Sequence, residues 1–149
     1  MEHSISESTE INTSEQELFD FINTPSECVE ASPSQTFSDI QKKDDGSHEF
    51  DYEYSMAGVS LTGHCTSKEF DPDAHVLVYD YTGGIDAEMR LDVKQNDEGG
   101  TVLKCQTTYE VPDSVFGSVV KPVIEKYNSR EMRKFVEGVK EIVEHKSEA

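Results

Sequence analysis

Positive charge is scarce in this chain: 13 lysines and arginines stand against 31 aspartates and glutamates, a formal charge of −18 over 149 residues. A nucleic-acid surface needs Lys and Arg facing phosphates, so the shortage excludes a general nucleic-acid binder and disfavours docking on anionic lipid. Long apolar runs are missing as well. None approaches the roughly 18–20 residues that cross a bilayer, so membrane insertion is not expected. Cysteine is limited to Cys28, Cys65 and Cys105, an odd number at wide spacings. They suit neither a disulfide framework nor a zinc ribbon, and reduced thiols in a cytoplasm are the expectation. The opening MEHSISESTE has neither a basic nor an apolar stretch, so it does not read as a secretory signal. Five histidines are scattered without an HExxH pair, and His64-Cys65 on a strand would face opposite sides. No metal site is expected. GxGxxG, GxxxxGK[ST] and GxSxG are absent, which removes the nucleotide and serine-hydrolase fingerprints and leaves no expected cofactor.

What the chain does hold is aromatic and acidic. The apolar fraction is 34%, low for a globular protein, yet seven Phe and six Tyr argue against disorder. The length fits one domain, expected to span residues 1–149. Acidic residues are spread along the chain instead of being gathered in a tail. Such a surface repels itself in dilute buffer and is relieved by salt. It fits a protein of a salt-rich cytoplasm, as in a halophilic archaeon; an ordinary acidic mesophilic protein is the alternative.

The pattern along the chain is β-α-(many β)-α. His3 to Asn12 alternates weakly, with Ile5, Thr9 and Ile11 on one side, and reads as a strand. Ser14-Glu15-Gln16-Glu17 is a capping-box pattern ahead of the apolar Leu18, Phe19, Phe21 and Ile22. Thr24-Pro25 opens a second short helix that Pro33 closes. Gln35 to Lys43 reads as a strand anchored by Phe37 and Ile40.

The middle alternates clearly. Phe50, Tyr52, Tyr54 and Met56 share one face, as do Val59, Leu61, Gly63 and Cys65, and a two-residue turn at Ala57-Gly58 aligns the two sets. Ala87, Met89, Leu91 and Val93 likewise align with Leu103, Cys105, Thr107 and Tyr109. Between these hairpins His75 to Tyr81 does not resolve. A two-residue Gly83-Gly84 turn puts Val76, Val78 and Asp80 inside, whereas an odd-length loop puts Leu77, Tyr79 and Tyr81 there. The last third is helical from Val111-Pro112-Asp113-Ser114 onward, with Phe116, Val120, Val123, Ile124, Tyr127, Phe135, Val139 and Ile142 at helical spacing and a kink or break expected near Pro122.

A strand, two short helices, a long antiparallel meander and a long C-terminal helix is the order of the helix-grip fold. The segment from Ile11 to Ile22 resembles the opening I-x-A-P-x-E-x-V-F-x-x-L signature of SRPBCC proteins, the START and polyketide cyclase/dehydrase-like superfamily. Tyr54 to Val59 is similar to the hairpin of its polyketide-cyclase-like and carbon-monoxide-dehydrogenase-accessory branches. Thr82-Gly83-Gly84-Ile85, Tyr109-Glu110-Val111-Pro112, Phe116-Gly117 and Asn128-Ser129-Arg130-Glu131 continue the likeness in order. Two departures stand out: Thr13-Ser14 replaces the usual Ala-Pro, and the tryptophans common in members are absent. The resemblance implies an α+β helix-grip fold, in which a curved antiparallel sheet of six to seven strands surrounds a long C-terminal helix and two short helices follow strand 1.

That fold implies a cavity between sheet and helix, whose occupant in the superfamily is a lipid, hormone or polyketide. The expected sheet lining is Tyr52, Tyr54, Met56, Leu61, Cys65, Met89, Leu91, Cys105 and Tyr109. Phe116, Val120, Ile124 and Tyr127 are expected from the helix. Aromatic and methionine walls with a few hydroxyls suit a hydrophobic small molecule held by one or two polar contacts. The same residues could instead fill a solid core. Binding without catalysis is the first functional reading. A cyclase- or dehydratase-like enzyme in the same cavity is the second, and needs a buried ionisable group such as an inward Asp80. His48 and His64 fall on polar strand faces, and Arg90 is expected outside. Cys65 and Cys105 read as small buried apolar residues. A third reading is an accessory protein that meets a partner, of a kind the sequence does not specify, through Tyr79 and Tyr81 if the register of their strand leaves them exposed.

Overall fold

A computed structural model describes residues 2–56, 58–110 and 121–148, with side chains described for all of these except residues 2, 121, 122, 147 and 148. Strand β1 (Glu2–Ile11) is followed by helix α1 (Glu15–Ile22), helix α2 (Pro25–Cys28) and a 3-10 turn (Val29–Ala31). Six strands then follow: β2 (Gln35–Lys42), β3 (His48–Met56), β4 (Val59–Asp71), β5 (Val76–Gly83), β6 (Asp86–Gln95) and β7 (Thr101–Glu110). Helix α3 runs over Lys121–Glu148. The strands form one antiparallel sheet in the order β1-β7-β6-β5-β4-β3-β2, a meander whose last strand is joined by the first. This is the α+β helix-grip architecture.

Local chemistry accounts for the elements. Ser14 caps α1 by accepting the Glu17 amide at 3.1 Å, and Leu18, Phe19, Phe21 and Ile22 are all buried beneath it. Pro25 opens α2, where its missing N–H costs nothing. The β3–β4 hairpin has the register that the alternation predicts: Met56 opposite Val59, Tyr54 opposite Leu61, Tyr52 opposite Gly63 and Phe50 opposite Cys65. Of its turn, Ala57 lies outside the described residues, and Gly58 has the positive φ of 88° that a tight hairpin turn requires. Val93–Leu103 and Leu91–Cys105 pair in β6–β7, as expected.

The open question of β5 resolves in favour of an odd loop. Tyr81 pairs with Ala87 across the five residues 82–86, and Leu77, Tyr79 and Tyr81 join the core. Asp80 therefore lies on the outer face. With Tyr79 and Tyr81 buried, they offer no surface to a protein partner, and that expectation is corrected. Three further positions differ from expectation. Ile40 does not anchor β2, because the register slips between Ser38 and Gln41, with Asp39 at φ 51°, and turns Ile40 outward. Val123 is 55% exposed, off the helix stripe that Ile124, Asn128, Met132, Phe135, Val136 and Val139 form. Asp92 points outward as expected but is only 4% exposed, held by Arg90 at 2.9 Å on the outer face. The expected helix start at Val111-Pro112-Asp113-Ser114 lies outside the described residues, and Pro122 falls in the first described turn of α3.

Helix α3 packs chiefly on β1 and the 3-10 turn, with lighter contact to β3 and β7. Helix α1 covers β6 instead. The two helices thus close different parts of the sheet's inner face, and the space left between them and the sheet is where the site lies.

Candidate functional site

A partly enclosed cavity of about 90 Å³ sits between the sheet and α3. Its apolar wall contains Met56 from β3, Met89 from β6 and Met132 and Phe135 from α3, with Ile5 and Ile85 beside them. Three of the chain's four methionines are therefore gathered here. Ligand pockets usually enclose about 300–1,000 Å³, so the cavity as it stands admits only a group of a few heavy atoms. Methionine has three rotatable bonds and a polarizable sulfur, which makes this wall the easiest part of the core to reshape.

Polar groups collect at one end. The Tyr54 hydroxyl donates to Asn128 Oδ1 at 2.5 Å, and Asn128 Nδ2 reaches Met56 Sδ at 3.7 Å. Tyr54 holds its proton well above the ordinary range, first through burial and then through neighbouring Tyr127 and Glu131. Tyr81 lies beside Gln35, its hydroxyl 3.5 Å from Gln35 Oε1. Glu131 accepts Ser34 Oγ at 2.6 Å and sits 3.4 Å from Lys134 Nζ, its side chain only 11% exposed. Tyr109 is 3% exposed, and its hydroxyl is buried without a hydrogen-bond partner. Burial raises its pKa, and the neighbouring Asn128 amide opposes that rise without closing a regular hydrogen bond. An unpaired buried hydroxyl costs about 1–3 kcal/mol, so Tyr109 is a group that a ligand atom would satisfy.

The expected lining residues divide into three groups. Tyr54, Met56, Met89 and Tyr109 line the cavity. Leu61, Cys65, Leu91 and Cys105 are buried in the core away from it. Burial also raises the Cys65 and Cys105 thiols, and pushes Cys28 up to about 12, so all three are inert packing atoms. Tyr52 braces the fold: its hydroxyl donates to Thr82 O at 3.0 Å and accepts Ile85 N–H at 3.1 Å, fixing the β5–β6 turn that carries Ile85. From the helix, Ile124 is core, while Tyr127 is half-buried and donates to Ser55 O at 2.8 Å. Phe116 and Val120 lie outside the described residues.

Asn128, Glu131, Gln35 and Tyr81 join the site beyond the residues that the sequence suggests. The first two carry a signal there: both are polar at the phase of the helix stripe that Ile124, Met132 and Phe135 define. His64 stands apart on the exposed face, where hydrogen bonds to Asp51 and Glu49 raise its pKa. Half-buried His48 titrates below the usual value because of desolvation. Among the described residues no cluster of His, Cys, Asp and Glu could hold a metal ion.

Known structures show the same fold at low sequence identity. A protein of Thermus thermophilus superposes with a TM-score of 0.83 at 12% identity, over 95% of this chain and 97% of that one. The Zhui aromatase/cyclase of Streptomyces sp. R1128 gives 0.82 at 11% identity, over 99% and 96%. A START superfamily protein of Mycobacterium smegmatis gives 0.78 at 14% identity, over 96% and 98%. No curated protein matches by sequence. The family model for polyketide cyclase/dehydrase and lipid transport proteins matches residues 2–144, nearly the whole chain, and the chain belongs to that family.

Proposed function

We propose that residues 1–149 form a single binding module for a hydrophobic small molecule of lipid- or polyketide-like character, held between the sheet and α3. The observation that carries this reading is the methionine-rich cavity with the orphaned Tyr109 hydroxyl at its polar end. Binding is favoured over a cyclase- or dehydratase-like reaction by the state of the only ionisable side chain besides tyrosine among the described lining residues. That group, Glu131, accepts Ser34 and lies beside Lys134, and no histidine or second carboxylate among the described lining residues stands ready to exchange a proton with it. Native mass spectrometry of protein purified from its own host is expected to show a bound apolar molecule, and ligand-free protein is expected to take up hydrophobic probes. Repeated recovery of empty protein that takes up no probe would favour a filled core.

The setting we propose is the reducing, salt-rich cytoplasm of a halophilic archaeon. Cys28, Cys65 and Cys105 are all free thiols, and acidic side chains such as Asp51, Glu53 and Glu88 occupy outward strand positions. At −18 the surface repels itself, and the screening length falls from about 10 Å at 0.1 M salt to about 3 Å at 1 M. The melting temperature is therefore expected to rise between dilute buffer and molar KCl. A flat or falling curve across that range removes the salt-adapted reading.

A further inference from the structure

The charge of the cavity wall narrows the class of ligand. Among the described lining residues none is Lys, Arg or His, and the one formal charge is the Glu131 carboxylate. Its two oxygens offer about four acceptor sites, of which Ser34 and Lys134 take two. Lys134 is half-exposed and at 3.4 Å, so water screens most of what it contributes. His3 stacks on Tyr109 at 5.0 Å between ring centroids, but its Nδ1 is committed to Glu125 at 2.8 Å.

An anion in the cavity meets the Glu131 carboxylate and no compensating cation among the described lining residues, and a desolvated charge without a partner is strongly disfavoured. An ammonium group meets that carboxylate, with the unpaired Tyr109 oxygen as a further acceptor.

We propose that the ligand of this cavity is a small apolar amine, seated with its nitrogen toward Glu131 and Tyr109 and its hydrocarbon body against Met56, Met89 and Met132. This rests on the binding function proposed above and specifies its ligand class. A carboxylate of the same shape is excluded by the same groups.

Three probes of one shape test it: benzylamine, benzyl alcohol and benzoate, titrated into ligand-free protein and followed by calorimetry and by the methionine methyl resonances. Benzylamine is expected to bind at least about tenfold more tightly than benzyl alcohol, a charge-assisted contact worth about 1.4 kcal/mol, with benzoate weaker than both. In Glu131→Gln the benzylamine advantage over benzyl alcohol is expected to vanish. Benzyl alcohol or benzoate binding as tightly as benzylamine overturns the amine assignment and leaves the binding function standing. An amine preference that survives in Glu131→Gln overturns the role given to Glu131. If none of the three binds, the binding function fails and the amine assignment falls with it.

Discussion

Gly63→Ala is expected to lower the melting temperature by about 10 °C or more, on the scale of roughly 3 °C per kcal/mol for a domain of this size. Gly63 sits mid-sheet on β4, between Tyr52 of β3 and Gly83 of β5. A Cβ there would collide with the Thr82 carbonyl oxygen and come within 2.8 Å of the Tyr52 hydroxyl and 3.0 Å of the Thr82 carbonyl carbon. Two of those atoms are backbone and cannot swing aside. Overpacking costs about 1–3 kcal/mol and occasionally more, and displacing Tyr52 adds the loss of its bonds to Thr82 and Ile85. Gly58→Ala is the control. It also adds one methyl, but with nothing within 4 Å and a φ of 88°, so its cost is backbone strain alone, about 1–2 kcal/mol. Differential scanning calorimetry of both variants separates steric from conformational cost. A Gly63→Ala melting temperature at or above that of Gly58→Ala would show that the β5–β6 turn yields, contrary to the packing around it. The same variant should weaken probe uptake, because Ile85 on that turn is part of the cavity wall.

The strands that alternate can be read from sequence, because one face of each is buried and only one register aligns both faces. That is why β3–β4 and β6–β7 are predictable pair by pair. β5 resists such a reading, and its own residues explain why: Val76, Leu77, Val78, Tyr79 and Tyr81 are all buried, so the strand lacks the polar alternation that reveals a facing. The outer-face burial comes from a neighbour. Arg90 pairs opposite Val78 on β6 and extends to Asp92 and Glu69, roofing the valines with a guanidinium and two carboxylates. The same roof buries Asp92, which the strand pattern places among solvated charges. The cavity is half legible for a different reason. Tyr54, Met56, Met89 and Tyr109 share their inward phase with Leu61, Cys65, Leu91 and Cys105, and nothing in the strand pattern says which end of the sheet the helices fill. That depends on how α1 and α3 divide the inner face, a tertiary matter. Asn128 and Glu131 escape a sequence reading because a stripe is sought by its apolar members, and the polar ones at the same phase are those a site uses.

Ala87→Leu decides whether the space beneath the sheet is hollow. Ala87 lies on β6 between Tyr81 and Tyr109, its small side chain forming part of the cavity wall. An empty volume of about 90 Å³, at roughly 24 cal/mol per Å³, costs the fold about 2 kcal/mol. Leucine at this position projects three further carbons into that volume, and each buried methylene contributes about 0.8 kcal/mol. The gain is bounded by the cavity cost, so a stabilisation of about 1–2 kcal/mol is expected, with a melting temperature higher by about 3–6 °C. Probe binding should fall by more than about tenfold, since the leucine occupies the space that the probe needs. The two effects have opposite signs and come from one substitution, which excludes general misfolding as their common cause. In a solid core the same leucine would be overpacked and would destabilise by about 1–3 kcal/mol. The sign of the stability change therefore separates a cavity from a core, and its pairing with lost uptake ties that cavity to binding.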